Sequence, residues 1–162
     1  DTLEQNMAWQ EKVYDHLPPL DNQAEKFGAQ FVVDAEGEYI RENERLLLTS
    51  TDFSVEEVIT EVGLLGGLCI PAHVDKPSFS LLANLGFVPP DAHIEALELS
   101  RNADPAAFQR HFPQLAAYTL IINGDAHRLD EMQNRTMIKV KEVTIQELRW
   151  AFLGREGRRV II

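Results

Sequence analysis

Apolar and polar positions along the chain change period several times, and each change marks an element. Residues 2–17 carry Leu3, Met7, Val13, Tyr14 and Leu17 at helical spacing behind an N-cap at Asp1 or Thr2, and Pro18-Pro19 ends that helix. A loop to Gly28 follows. Gln30–Val33 and Tyr39–Ile40 then flank Asp34-Ala-Glu-Gly37, the pattern of a short hairpin. Ser54-Val-Glu-Glu57 is a capping box, and Val55, Val58, Ile59 and Val62 form an apolar stripe up to Gly66-Gly67.

From there a shorter rhythm repeats. Leu68–Pro71 reads as a buried strand, Pro77–Leu85 as a helix closed by Gly86, and Ile94–Leu99 as a strand. Asp104-Pro105 opens a helix with proline at its first position, and Tyr118–Ile122 is rich in β-branched and aromatic residues. Met137–Val143 is a further strand, Thr144-Ile-Gln-Glu147 caps a helix to about Phe152, and Arg158–Ile162 gives a last strand. Short apolar strands alternating with helices predict an α/β fold of mostly parallel βαβ units, in an open sheet or a barrel. No repeat, low-complexity segment or linker divides residues 1–162, so a single domain is expected.

Composition changes this picture only at the margins. The chain has 162 residues, 44% hydrophobic and 25% charged, enough for one domain with a real core. A net charge of −11 argues against non-specific nucleic-acid binding, since no basic face is available to neutralise phosphates. A phosphate ester remains an acceptable substrate if bound cations supply the missing positive charge. The single cysteine, Cys69, makes a reducing cytoplasmic setting the default. It sits in a buried strand and reads as a small core residue. No apolar run approaches the roughly 20 residues of a membrane span, and no signal peptide opens the chain. Asp1 followed at once by helical residues is the start expected of a segment inside a longer protein.

In parallel α/β folds, functional residues gather at the carboxyl ends of strands. That rule selects Pro71-Ala-His-Val-Asp75, Ser100-Arg-Asn102 and Asn123–His127. Imidazole and carboxylate are the common ligands of zinc, manganese and iron, and Asp125 and His127, two apart in a loop, can face one site. Spacing alone leaves a hydrogen-bonded structural histidine as the commoner alternative.

The wording of the motifs goes further. Gly66-Gly-Leu-Cys-Ile-Pro-Ala-His73 and Ile122-Asn-Gly-Asp-Ala-His127, continuing into Arg128-Leu-Asp-Glu-Met132, resemble the third and fourth motifs of the PHP (polymerase and histidinol phosphatase) superfamily. The resemblance covers residues 54–162, with 1–53 as a variable segment ahead of it. It implies part of a distorted (β/α)7 TIM-like barrel, and two or three divalent ions in the intact domain. It also implies metal-dependent hydrolysis of phosphate esters, and the net charge of −11 favours a small-molecule ester over nucleic acid. His73, Asp125 and His127 would be both metal ligands and catalytic residues. Asp75, Lys76 and Arg101 would contact the substrate phosphate or steady the ligands. Arg128 and Asp130 would cap the turn after the fourth motif.

The family's earlier His-x-His, Thr-Asp-His and Gly-Ile-Glu signatures are absent, and His16, His93 and His111 do not replace them. The resemblance therefore implies a weakly active portion of an enzyme, with homo-oligomers covering open strand edges. The competing reading is a silent PHP-like binding or regulatory module.

Overall fold

The computed structural model describes residues 1–132 and 135–162 and divides into two units, Thr2–Val58 and Ile59–Ile162, with Asp1 grouped with the second. In chain order the elements are α1 (Leu3–Asp15), α2 (Ala24–Phe27), β1 (Phe31–Val33), β2 (Tyr39–Glu42), α3 (Val55–Leu64) and α4 (Leu81–Leu85). Then come β3 (Ala96–Leu99), α5 (Pro105–His111), β4 (Thr119–Ile122), β5 (Met137–Lys139), α6 (Ile145–Phe152) and β6 (Arg159–Ile161).

In the first unit, Thr2 and Gln5 form a reciprocal capping box at the start of α1. β1 and β2 pair antiparallel, and the turn between them is tied by Asp34, whose Oδ1 accepts from the amides of Glu36 (3.0 Å) and Glu38 (2.8 Å). That bond pattern is the Asx turn that favours aspartate at this place. Leu17 and Leu46 are its buried apolar side chains.

The second unit is built on β3 and β4, which pair parallel in the register Leu97 to Leu120 and Leu99 to Ile122. Leu97 and Leu99 are fully buried and pack with Val74, Val88, Ile94, Phe108, Leu115, Leu120 and Ile122. On the opposite face Ala96 and Ile121 pack with Phe152 of α6. Both faces of the pair are covered, which explains why Leu120–Ile122 is a continuous apolar run and why β3 buries Ala96 on one face as well as Leu97 and Leu99 on the other. Segment 71–74 lies along the free edge of β3, where Pro71 O accepts from Glu98 N (3.0 Å) and Val74 N donates to Glu98 O (2.8 Å). The buried strand foreseen at 68–71 does not form: these residues are half-buried and lie outside any strand, but the bonds of Pro71 and Val74 to β3 still bring His73 beside the ends of β3 and β4.

The expectation of part of a (β/α)7 TIM-like barrel with mostly parallel strands is overturned. Among the described residues there are three two-stranded sheets, and two of them, β1–β2 and β5–β6, are antiparallel. Closure needs each strand paired on both edges with a consistent tilt and stagger. The outer edge of β4 instead meets a side chain: Thr136 Oγ1 accepts from Ile122 N (2.7 Å) and donates to Ile122 O (2.8 Å). β5 then turns to β6 rather than continuing the parallel sheet. Alternation of helix and strand is the same in both arrangements, so the periodicity could not separate them.

α6 holds this second sheet in place. Thr144 Oγ1 accepts from Glu147 N (3.2 Å), but the Glu147 carboxylate does not return to the cap. It takes a bidentate contact from buried Arg158, at 2.9 and 2.6 Å, and a bond from Lys141 N at 2.8 Å. These contacts, Arg158 first, hold the Glu147 carboxyl down to about 2. The capping box read from the sequence is therefore half formed, because a guanidinium competes for the glutamate more strongly than one backbone amide.

Candidate functional site

The carboxyl ends of β3 and β4, with segment 71–74 alongside, carry three short loops, and Lys76, Ser100, Arg101, Asn102, Gly124, Asp125, His127 and Glu131 surround a cavity of about 380 Å³ there. Four of the residues singled out in the sequence, Lys76, Arg101, Asp125 and His127, line it. His73 adjoins it through Asp125, with His73 Nε2 3.9 Å from Asp125 Oδ2. Asp75 does not face the cavity. Its Oδ1 accepts from Ser100 N at 2.7 Å and its Oδ2 from Ser100 Oγ at 2.5 Å, so it ties the His73 loop to the end of β3.

Lys76 Nζ donates to Asp125 Oδ2 at 2.5 Å. This contact, ahead of the charges of His73 and His127, draws the Asp125 carboxyl below its usual range, against a smaller opposing effect of burial. Arg101 is exposed at the cavity and makes no ion pair among the described residues. The two cationic side chains stand on loops from different strands, with Asp125 and Glu131 also at the lining.

Backbone strain is concentrated on two of the expected ligands. Four described residues other than glycine have positive φ, and His73 (34°) and Asp125 (49°) are two of them. Side chains other than glycine's reach this region at some cost, and such residues persist where surrounding contacts fix them, often at functional sites. Gly124 precedes Asp125 for a steric reason. A Cβ there would lie 2.6 Å from Glu131 O, so only glycine lets the two sides of this loop meet. Glu131 also caps the loop, accepting from His127 N at 2.7 Å, the task expected of Arg128 and Asp130. Asn123 Nδ2 donates to Glu98 Oε2 at 2.7 Å, bracing the ends of β3 and β4. Register resolves where Glu98 points: with Ala96, toward the α6 face, away from Leu97 and Leu99. Ser100 and Asn102 lay in a loop selected by the strand-end rule, whereas Glu131 lay in the stretch resembling the fourth motif but was given no role there.

The fit of a divalent ion can be tested on this geometry. The donor types suit one. His127 Nδ1 lies 2.8 Å from Asp125 O, and a carbonyl only accepts, so this nitrogen bears the proton and Nε2 presents the lone pair. His73 Nδ1 is buried with no hydrogen-bond partner among the described residues. The number does not suffice. Among the described residues no three His, Cys, Asp or Glu side chains converge in a way that could hold a metal ion. One oxygen of the His73–Asp125 pair already carries an ammonium. These residues do not form a metal site by themselves.

Other candidates lie away from the cavity. His16 Nδ1 is 2.6 Å from Asp52 Oδ1 and its ring stacks on Phe53 at 3.7 Å, within the first unit. His93 and His111 are exposed. Burial, with a smaller contribution from Glu95, raises the Cys69 thiol above its ordinary range, which leaves it a poor nucleophile.

The fold and cavity define an α/β protein with a polar pocket at the strand ends. No protein-family model matches the chain. Among solved structures, the chain is similar to the lesion-specific endonuclease PfuEndoQ from Pyrococcus furiosus, with a TM-score of 0.66 and 25% identity, over 99% of this chain and 36% of that one. A second is endonuclease Q in complex with a 27-mer duplex substrate with an abasic lesion at the active site. There the TM-score is 0.65 and the identity 24%, over 98% of this chain and 35% of that one. An uncharacterized Bacillus subtilis (strain 168) protein, YqxK, is 31% identical over 103 residues, 60% of this chain and 26% of its own. The chain thus spans about a quarter of the length of that relative and about a third of the two endonucleases. It shares the fold of a segment of endonuclease Q. No helix of the described residues is long and apolar enough to cross a membrane.

Proposed function

We propose that this chain is part of a hydrolase of phosphodiester bonds, nuclease-like in kind, with its reacting phosphate received in the cavity at the ends of β3 and β4. The observation that carries this reading is the likeness to PfuEndoQ along 99% of the chain. It is supported by the meeting of Lys76, Arg101, Asp125 and His127 around one cavity. The PHP-like motifs at His73 and at Asp125 with His127 point to the same chemistry. The endonuclease likeness moves the substrate from a small phosphate ester toward a lesion-bearing duplex. With a net charge of −11, this chain cannot supply the general backbone attraction for DNA. It would contribute local phosphate contacts, and more positive surface would come from elsewhere.

In this reading Arg101 and Lys76 offset charge on the phosphate oxygens. His127 presents Nε2 as a proton acceptor toward the cavity, its other nitrogen fixed by Asp125 O. His73 and Asp125 complete the centre, and Asp75 positions the His73 loop through Ser100. A divalent ion (zinc, manganese or iron by family resemblance) would need ligands beyond those the described residues bring together.

The test is incubation of the purified protein with a fluorescent duplex carrying one abasic site, and with the intact duplex as control. Strand cleavage that is lost in His127→Ala and Arg101→Ala is the expected result. Unchanged cleavage in both variants would refute the assignment of the site. Among the described residues no three ligands converge, which favours a second reading, a binding module, and tight binding of the lesion duplex without cleavage would select it.

A further inference from the structure

Of the four described residues other than glycine at positive φ, three belong to the loops around the cavity: His73, Asp125 and Phe79, the last at 55°. The hydrolase reading uses the first two and leaves Phe79 idle. At 89% exposure it is the most open Phe, Tyr or Trp side chain among the described residues. A single exposed apolar residue is ordinary on a protein surface. A bulky side chain in the left-handed region is not, because its Cβ crowds the backbone there. Phe79 therefore forgoes burial and carries strain at one position. Its neighbours show what holds it. Ser80 is buried, donates from Oγ to Lys76 O at 2.8 Å and accepts from Ala83 N at 3.1 Å. Leu81 and Leu82 pack against the core beyond it. The turn from Lys76 to Ser80 is thus fastened at its end, and Phe79 stands out from it. Three positions separate Phe79 from cavity-lining Lys76, which keeps the two backbones within about 11 Å. The loop after β4 likewise exposes Leu129, at 87%, between His127 and Glu131 of the lining.

We propose that Phe79 is a positioning residue for damaged duplex, and that its ring enters the base stack where a base is missing. The proposal rests on the reading of the cavity as the receiver of a phosphodiester in a lesion-bearing strand. Stacking energetics select the gap. An apolar side chain driven between intact base pairs must first unstack them. At an abasic site that stacking is already lost, so an aromatic ring takes the empty place without the cost and gains contact with the flanking bases. A hydrocarbon ring carries no hydrogen-bonding group, so it serves beside any flanking base. With two rotatable bonds on a fastened turn, it forfeits little conformational freedom on binding. The net charge of −11 gives no general attraction for duplex, and contacts to phosphate from Lys76 and Arg101 carry no information about a missing base. A stacking contact supplies the discrimination that these charges lack.

Fluorescence anisotropy on a labelled duplex with one abasic site, and on its intact counterpart, tests this. The unaltered protein should favour the lesion duplex. Phe79→Ala and Phe79→Gly should weaken lesion binding about 5- to 150-fold, the worth of one stacked base, and leave binding of intact duplex unchanged. Phe79→Trp should keep the preference. Its added indole emission, above the Trp9 and Trp150 signal of the unaltered protein, should be quenched by lesion duplex and not by intact duplex. Leu64→Ala, which removes another exposed apolar side chain outside the cavity lining, should change neither affinity. Both small variants should unfold at or above the temperature of the unaltered protein, since the exposed ring contributes little burial and its backbone strain is eased. If the unaltered protein binds both duplexes alike, the proposal and the reading of the cavity fall together. If it prefers the lesion and the small Phe79 variants prefer it equally, Phe79 alone is refuted and the reading stands. A lower unfolding temperature with the preference intact would also overturn the proposal, because the ring would then be covered by protein.

Discussion

Asp75 separates two accounts of the cavity, because the sequence offered it as a substrate contact and the structure turns it inward. Its carboxylate accepts two hydrogen bonds from Ser100, at 2.7 Å from the amide and 2.5 Å from the hydroxyl. A hydrogen bond to an ionised partner contributes about 1.5–3 kcal/mol, so two would give roughly 3–6 kcal/mol if they added. They share one carboxylate, and half-buried Ser100 can rehydrate beside the cavity, which brings Asp75→Ala down to about 2–4 kcal/mol. Asn at this position keeps one acceptor for the Ser100 amide, so Asp75→Asn should cost about 1–2 kcal/mol. At roughly 2–4 °C per kcal/mol for a chain of this size, Asp75→Ala should unfold roughly 5–15 °C lower. Urea titration checks the same loss, with the midpoint falling and the slope unchanged. A substrate contact behaves in the opposite way: its removal weakens binding of a phosphorylated ligand and leaves unfolding alone. If Asp75→Ala unfolds with the unaltered protein while its affinity for lesion duplex falls, the tethering argument is wrong.

Glu147 makes stability depend on pH with a definite sign. Its carboxyl is held down to about 2 by Arg158, against an ordinary value of 4.5, so the stabilisation is complete above that ordinary value and lost as pH falls toward 2. Melting temperature should therefore drop across that window, and Glu147→Gln should flatten the drop. Thr136→Val keeps the shape and removes the hydroxyl that serves both polar groups of Ile122, an expected loss of about 1–3 kcal/mol. Hydrogen exchange should quicken at the Ile122 amide first, and unchanged protection there would count against the role. Gly124→Ala places a methyl 2.6 Å from Glu131 O, and the forced shift should cost about 1–3 kcal/mol by chemical denaturation. The same variant should change the ring resonances of His127, whose amide Glu131 holds.

How much of this was legible in the sequence follows from the range of each interaction. The Ser54 and Asp104 caps, the Asp34 turn and the Gly86 helix end depend on residues within four positions of one another, and each is where the pattern put it, while the first cap, open between Asp1 and Thr2, falls on Thr2. The apolar runs at 94–99 and 118–122 likewise became the buried pair β3–β4. What failed was the assembly of strands. Met137–Val143 yielded only three strand residues, and these pair antiparallel with β6 because Thr136 already satisfies the edge of β4. A side chain serving as a strand's neighbour, fourteen positions away, leaves no mark in periodicity. The same holds for Glu147, where local pattern gave a capping box and a distant arginine took the carboxylate.

The cavity follows that division in its own chemistry. The strand-end rule brought Arg101, Asp125 and His127 to one place because the end of a parallel strand is a property of topology, independent of whether the sheet closes, and Lys76 stands one residue past the first segment it selected. Roles within the cavity are set by distances of a few ångströms between loops, and there the sequence distinguished poorly. Neighbours Asp75 and Lys76 looked alike as phosphate contacts, yet one points to Ser100 and the other to Asp125, 49 positions on. Residues 72–75 form a turn, with Lys76 N donating to His73 O at 3.0 Å, so neighbouring side chains here diverge with no strand alternation to read from the sequence. The fully buried Val74, at 1% exposure, anchors that turn. With Val74 driven into the core beside Leu97 and Leu99, the loop's orientation is fixed by apolar burial, and the lysine is carried to the carboxylate as a consequence. Packing of the core thus determines the electrostatics of the pocket.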